Sequence, residues 1–323
     1  MPGKKIVVLG TGGTIAGTSV LAGDDMDYTA AQIGVRQLVD AIPALAALGD
    51  RLVVEQVAQV DSKDMDSAVW HHLVARCMHW LADESVGGIV ITHGTDTLEE
   101  TAFLLHTLLA SDKPVVLTCA MRPATALMPD GPQNLTDAFA VIAWPGACGV
   151  MVVCAGGIHG ALDVQKEQPY RLDAFTSGDA GAIGYVEAGQ VRLVRAWPQA
   201  AEGLHERAAQ AFLHAGGQLA RVEIVTSHAG ADGTLVDALL VLLGSAAPQC
   251  GIVVACTGNG TIHHRLEAAL LRAQAQGVRV VRSTRCSQGR VLPVAGAVFG
   301  DSNGLSPVKA RIALALELMQ RSL

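Results

Sequence analysis

The sequence predicts an α/β protein in two domains, a larger N-terminal flavodoxin-like domain on a parallel sheet and a smaller C-terminal α/β domain. Three observations predict it. Unbroken apolar runs recur, as in Ile6-Val7-Val8-Leu9, Gly88-Ile89-Val90-Ile91, Val115-Val116-Leu117 and Val150-Met151-Val152-Val153, which is how strands buried on both faces of a parallel sheet read. Stretches of helical period separate them. Between Gly184 and Trp197 the period changes to an alternation, and a second strand–helix series follows. The expected boundaries are residues 1–197 for the N-terminal domain, 198–218 for a linker and 219–323 for the C-terminal domain.

The first run empties into Gly10-Thr11-Gly12-Gly13-Thr14-Ile15-Ala16-Gly17. Residues 18–32, rich in Gly, Asp, Ser and Thr, carry neither helical nor strand period and read as a candidate lid, with Tyr28 their only aromatic residue. Leu52 to Val57 is the next strand, followed by the polar Asp61-Ser62-Lys63-Asp64. Trp70, Leu73, Val74, Cys77 and Leu81 fall on one helical stripe. After Ile91 come Thr92-His93-Gly94-Thr95-Asp96-Thr97-Leu98-Glu99-Glu100, where Thr97 and Glu100 match a capping box, so Thr95 and Asp96 lie between a strand end and a helix start. Val115 to Cys119 leads to a long polar connection, Asn134 is expected to cap the next helix, and the run 150–154 ends in Ala155-Gly156-Gly157. Glu187-Ala188-Gly189-Gln190 reads as a hairpin turn. The second series has strands at 222–226, 252–255 and 278–282 and helices at 235–243, 266–275 and 307–320, the last with Pro307 in its first turn.

Of the 323 residues, 50% are hydrophobic, 16% charged and 4% aromatic, so burial is extensive. A net charge of −7 with no basic run argues against nucleic acid and for a small-molecule site. No stretch has the length of a membrane span, and the apolar run after Lys4 and Lys5 stops at Leu9, short of a signal-peptide core. Seven cysteines without C-x-x-C spacing read as buried free thiols, pointing to a cytoplasmic protein.

A dinucleotide fingerprint fails in the first loop, because Ile15 stands where its third glycine belongs; a P-loop fails for want of a lysine after Gly17. Two readings remain: a loop that presents a hydroxyl to a closely approaching substrate, or a structural turn with incidental threonines. A second threonine loop, Gly94-Thr95-Asp96-Thr97, stands at another strand end. His93 beside it reads as a structural histidine. His71-His72 and His263-His264 are adjacent pairs without metal-ligand spacing, and no cofactor is expected.

Gly12-Gly13-Thr14-Ile15-Ala16-Gly17 together with Thr92-His93-Gly94-Thr95-Asp96-Thr97-Leu98-Glu99-Glu100-Thr101-Ala102 resembles the paired signatures of the bacterial-type L-asparaginase and glutaminase-asparaginase family. Asp61-Ser62, Ala120-Met121-Arg122-Pro123 with Asp130-Gly131-Pro132-Gln133-Asn134-Leu135, Thr257-Gly258-Asn259-Gly260 and Arg282-Ser283-Thr284-Arg285 match in the same order. The resemblance implies that Thr14 is a nucleophile forming an acyl-enzyme, with Tyr28 bonded to its hydroxyl. It implies a second triad of Thr95, Asp96 and Lys166, with Asp96 also holding the substrate's α-ammonium and Ser62 its α-carboxylate. Without the resemblance, Lys166 is an ordinary surface lysine. The implied reaction is hydrolysis of L-asparagine to L-aspartate and ammonia, in a homotetramer of close dimers.

Two positions depart from the pattern. Lys63 stands where the family has a glutamine or glutamate contacting the substrate amino group: it turns to a carboxylate such as Asp64, grips the α-carboxylate, or marks an unusual substrate. Thr261 stands where the family has an asparagine or serine reaching the site from a neighbouring subunit. Both, with the short 287–298 segment, point to weak or absent glutaminase activity. The competing readings are an amino-acid sensor that has lost turnover, favoured by Lys63, and an amidohydrolase acting on a peptide or aminoacyl-tRNA amide.

Overall fold

The computed structural model describes residues 3–21, 24–198 and 205–321, without the side chains of residues 205 and 206. The chain divides into two compact units between Glu206 and Arg207, inside the stretch expected as a linker. Residues 199–204 of that stretch lie outside the described residues, and His205–His214 is helical.

In the first unit, strands β1 (Lys5–Gly12), β2 (Leu52–Val60), β3 (Val86–Thr92), β4 (Pro114–Thr118) and β5 (Gly149–Cys154) stand in the order 2-1-3-4-5 and pair in parallel. This is the flavodoxin-like order, whose direction reverses between β1 and β3. Side chains alternate between the faces. Val8, Val90, Val116 and Met151 enter one core with Val35, Val39, Leu135, Phe139 and Ile142 from the helices Val35–Asp40 and Gly131–Ala143. Their neighbours Val7, Leu9, Ile89, Ile91, Val115 and Leu117 are equally buried, on the face carrying the helices Ser67–Ala82 and Leu98–Leu108. Burial on both sides is why these runs show no alternation.

Four local expectations are corrected. Beyond β5 the chain reverses through Ala155 and Gly156, at φ 47 and 74, into β6 (Gly157–Gly160), antiparallel to β5. The glycines that read as a strand-end loop are a tight hairpin turn, for which positive φ at both central residues is required. The sheet continues through β7 (Gly184–Glu187) and β8 (Gln190–Leu193), the expected hairpin about Ala188 and Gly189. Residues 18–32 hold a short ladder, Thr18–Ser19 against Tyr28–Thr29; arms of two residues are too short to show a period, and Ala22 and Gly23 lie outside the described residues. Asn134 is not a cap but lies inside the helix that Asp130 precedes. Thr97 does precede the helix Leu98–Leu108, but its side chain makes no capping bond, because the hydroxyl donates to the Ser62 carbonyl instead, 2.7 Å away.

The second unit is a parallel sheet of Val222–Thr226, Gly251–Cys256, Arg279–Thr284 and Gly300–Asp301, in that order. The helices Thr234–Leu243 and His264–Ala275 pack one core against it, and Pro307–Arg321 packs the other. All seven cysteines are free; Cys148 is half-buried and Cys286 exposed rather than buried. Among the described residues, no helix is long and apolar enough to cross a membrane.

Candidate active site

The site grows from the ends of β1, β2 and β3, around the point where the strand order reverses. Gly13 has φ 82, and a Cβ built there would land on the main chain of Gly94. A Cβ on Gly94 would in turn meet Ser62 Oγ. Three loops thus touch with almost no side chain between them, which only glycine allows at this φ and this approach. Thr11 adds a buried tie, its hydroxyl donating to the Thr92 carbonyl at 2.9 Å.

Thr14 opens a 3₁₀ turn, Thr14–Ala16, directly after Gly13. Its hydroxyl shares a hydrogen bond of 2.8 Å with the Tyr28 hydroxyl. The Tyr28 ring lies over Gly17, where a Cβ would stand 2.9 Å from Cδ2. The tyrosine therefore reaches the threonine across a surface that a larger residue would block.

Thr95 and Asp96 follow β3. Lys166 Nζ donates to Thr95 Oγ1 at 2.8 Å and to Asp96 Oδ1 at 2.7 Å, while Thr95 Oγ1 lies 3.5 Å from Asp96 Oδ1. The Asp96 side chain is 51% exposed and that of Lys166 19%, so the carboxylate faces solvent while the ammonium is held from behind. The Lys166 main-chain N–H donates to Glu99 Oε2 at 2.6 Å. Glu99, which sequence reasoning did not single out, thus holds the Lys166 main chain; its signal was a carboxylate on the buried side of a helix, 8% exposed. Lys166 sits in a short ladder, Gln165–Lys166 with Phe175–Thr176, which carries it from the β5–β6 hairpin back to β3. Ser62, 2% exposed, accepts the Asp96 main-chain N–H at 3.1 Å. The helix Leu98–Leu108 begins beside these groups and adds positive potential at its N-terminus.

His93 is structural, as its position suggests. Its Nδ1 lies 2.7 Å from the Gly94 carbonyl and its Nε2 2.9 Å from Thr101 Oγ1, which accepts from Trp70 Nε1 at 2.9 Å. The carbonyl only accepts, so Nδ1 carries the proton and Nε2 takes the Thr101 proton. Burial lowers the His93 pKa to about 4, keeping the ring neutral. This chain of donors braces the Gly94 turn from beneath.

Lys63 takes the first of its expected courses. Its ammonium pairs with Asp61 Oδ2 and lies 3.4 Å from Asp64 Oδ2, with the side chain 62% exposed. Neighbouring carboxylates, Asp61 first, raise its pKa. Thr261 belongs to the second unit, where its hydroxyl bonds Thr257 at 2.8 Å to the hydroxyl and 2.9 Å to the carbonyl.

This geometry meets a family match over nearly the whole chain. Residues 5–199 match the model of the asparaginase N-terminal domain and residues 221–322 that of the glutaminase/asparaginase C-terminal domain. The chain belongs to the asparaginase family. Among its relatives, L-asparaginase 2 of Bacillus subtilis is 36% identical over 97% of this chain and 82% of its own. A glutaminase-asparaginase of Pseudomonas fluorescens is 33% identical over 95% and 84%. The crystal structure of a probable cytoplasmic L-asparaginase from Campylobacter jejuni superposes with a TM-score of 0.86 at 35% identity, covering 98% of this chain and 95% of that one.

Proposed function

We propose that this protein hydrolyses the side-chain amide of L-asparagine to L-aspartate and ammonia by double displacement, through an ester on Thr14. The observation that carries the reading is a pair of threonine hydroxyls at the ends of strands flanking the switch point, each with its own activating partner: Tyr28 for Thr14, and Lys166 with Asp96 for Thr95. A threonine hydroxyl is a weak nucleophile until its proton is removed. As Thr14 Oγ1 attacks the side-chain carbonyl carbon, the Tyr28 oxygen accepts the Thr14 proton and passes its own hydroxyl proton to the amide nitrogen; the C–N bond then breaks, ammonia leaves and the Tyr28 hydroxyl is restored. Water, relieved of a proton through Thr95, attacks the ester carbonyl, and Thr14 leaves with a proton restored. The Lys166 ammonium, which donates to both Thr95 Oγ1 and Asp96 Oδ1, favours proton loss from Thr95. The exposed Asp96 carboxylate holds the α-ammonium. Ser62 Oγ accepts from the Asp96 N–H, which leaves its own proton for the α-carboxylate.

The proposal includes weak or absent glutamine turnover. With Lys63 held by Asp61 and Asp64, the amino-acid end of the substrate is gripped by Asp96 and Ser62, and the longer glutamine side chain gives up more rotamer freedom on binding. It also includes a homotetramer, which light scattering on the purified protein tests, and a cytoplasmic setting, which suits seven unpaired cysteines. The central experiment is ammonia release from L-asparagine and L-glutamine by the wild type, Thr14→Ala and Thr95→Ala. The wild type is expected to favour asparagine, and each variant to lose about 10³-fold or more in kcat. A Thr14→Ala enzyme near the wild-type rate removes the acyl-enzyme on Thr14.

A further inference from the structure

The segment from Ala120 to Asn134 stands out in the sequence but takes no part in the chemistry above. In the structure it forms a braced loop. Asp130 accepts from the main-chain N–H groups of Met121 and Arg122 at 2.9 and 3.0 Å. Asn134 donates to the Cys119 carbonyl at 2.9 Å and to Asp130 at 3.2 Å, and accepts from Ala155 N–H at 2.9 Å. One carboxamide thus joins the ends of β4 and β5 to the loop between them.

The loop grips the segment that carries Tyr28. Ala124 N–H donates to the Gly17 carbonyl at 3.0 Å. Thr125 Oγ1 accepts from Ser19 N–H at 2.9 Å and shares a second bond of 2.8 Å with the Ser19 hydroxyl. Arg122 Nε lies 3.5 Å from Asp25 Oδ2. The other Asp25 oxygen is buried with no hydrogen-bond partner among the described residues, so the carboxylate depends on Arg122. Ser19 is the residue directly opposite Tyr28 in the two-residue ladder, and Tyr28 in turn holds Thr14.

We infer that Thr125 is a positioning residue for the reaction: through Ser19 it sets the place of Tyr28 and so the hydrogen bond that activates Thr14, with Arg122–Asp25 as a second clamp on the same segment. This rests on the proposed roles of Tyr28 and Thr14. Thr125 is exposed on the loop surface, so its replacement leaves the core of the fold intact.

The test joins two measurements on the full chain. Hydrogen exchange of the peptide spanning residues 17–29 is compared in wild type, Thr125→Ala and Thr125→Ser. Steady-state ammonia release is measured in the same proteins and in Tyr28→Phe with and without Thr125→Ala. Losing the Ser19 bonds is expected to speed exchange in that peptide and to lower kcat about 3- to 10-fold, with KM changed less, and Thr125→Ser is expected to restore both. In the Tyr28→Phe background, Thr125→Ala is expected to cost nothing further, because the hydroxyl it positions is gone. Unchanged exchange in Thr125→Ala overturns the latch whatever the kinetics show. Losses that multiply in the double variant overturn its action through Tyr28. Full turnover by Tyr28→Phe alone is a different failure: it removes Tyr28 from the mechanism and with it the catalytic part of this inference, while exchange still decides whether Thr125 holds the segment.

Discussion

Replacing Lys166 with methionine removes one charge and keeps the length of the side chain. At the observed 2.7 Å from Asp96, the ion pair has a Coulomb energy of about 6 kcal/mol at an effective dielectric of about 20. Asp96 is half open to water, which recovers roughly half of this and leaves about 3 kcal/mol. If that interaction counts chiefly when Thr95 gives up its proton, kcat falls about 10²-fold. The donated bond to Thr95 Oγ1 goes with it, extending the range to about 10³-fold. KM moves in the other sense: without its internal cation, the Asp96 carboxylate is freer to meet a substrate ammonium, so KM stays level or falls. Stability changes little, because water rehydrates Asp96. Steady-state ammonia release with a thermal melt of the same sample checks all three. A kcat within about threefold of wild type, or a loss confined to KM, refutes the role of Lys166 in activating Thr95.

Two further outcomes follow from the structure. Lys63→Gln is expected to change kcat/KM by less than about threefold, since an exposed pair with Asp61 and Asp64 carries little energy; a tenfold change in asparagine kinetics shows that Lys63 enters the site. Stability is expected to fall as pH drops from about 6.5 towards 4, because burial holds His93 and His159 at a pKa of about 4, below the ordinary value of about 6.5 for an unfolded chain. The unfolded state then binds protons first, and each histidine withdraws about 3 kcal/mol across that window. The stability is fully present above about pH 6.5, so a melting temperature that stays flat from pH 7 to about 4.5 contradicts the neutral, buried state of both rings.

The sheet was legible because its strands are buried on both faces and read as continuous apolar runs. The site was half legible for a related reason: glycine beside threonine at a strand end is unusual chemistry for a buried edge, and both loops announced themselves this way. What stayed hidden depends on turns and on contacts between distant segments. Ala155-Gly156 looks like any strand-end loop until its two positive φ values turn the chain back. That reversal delivers Lys166, which no local pattern separates from a solvated lysine. The pull of the Ser62 carbonyl on Thr97 and the two jobs of the Asn134 amide lie equally beyond local sequence, since their partners are 35 and 15 or more residues away.

The contact of Gly13 with Gly94 has a consequence for how such an enzyme changes over time. The loops carrying Thr14 and Thr95 are spaced by the thickness of the peptide chain itself, not by side chains that substitution can enlarge or trim. Core residues on the surrounding helices are free to drift in size while the two hydroxyls keep their separation. Under the proposed mechanism, new substrates are then reached by changing the exposed rim at Lys63 and Asp64, while Thr14, Tyr28 and Thr95 are inherited unchanged.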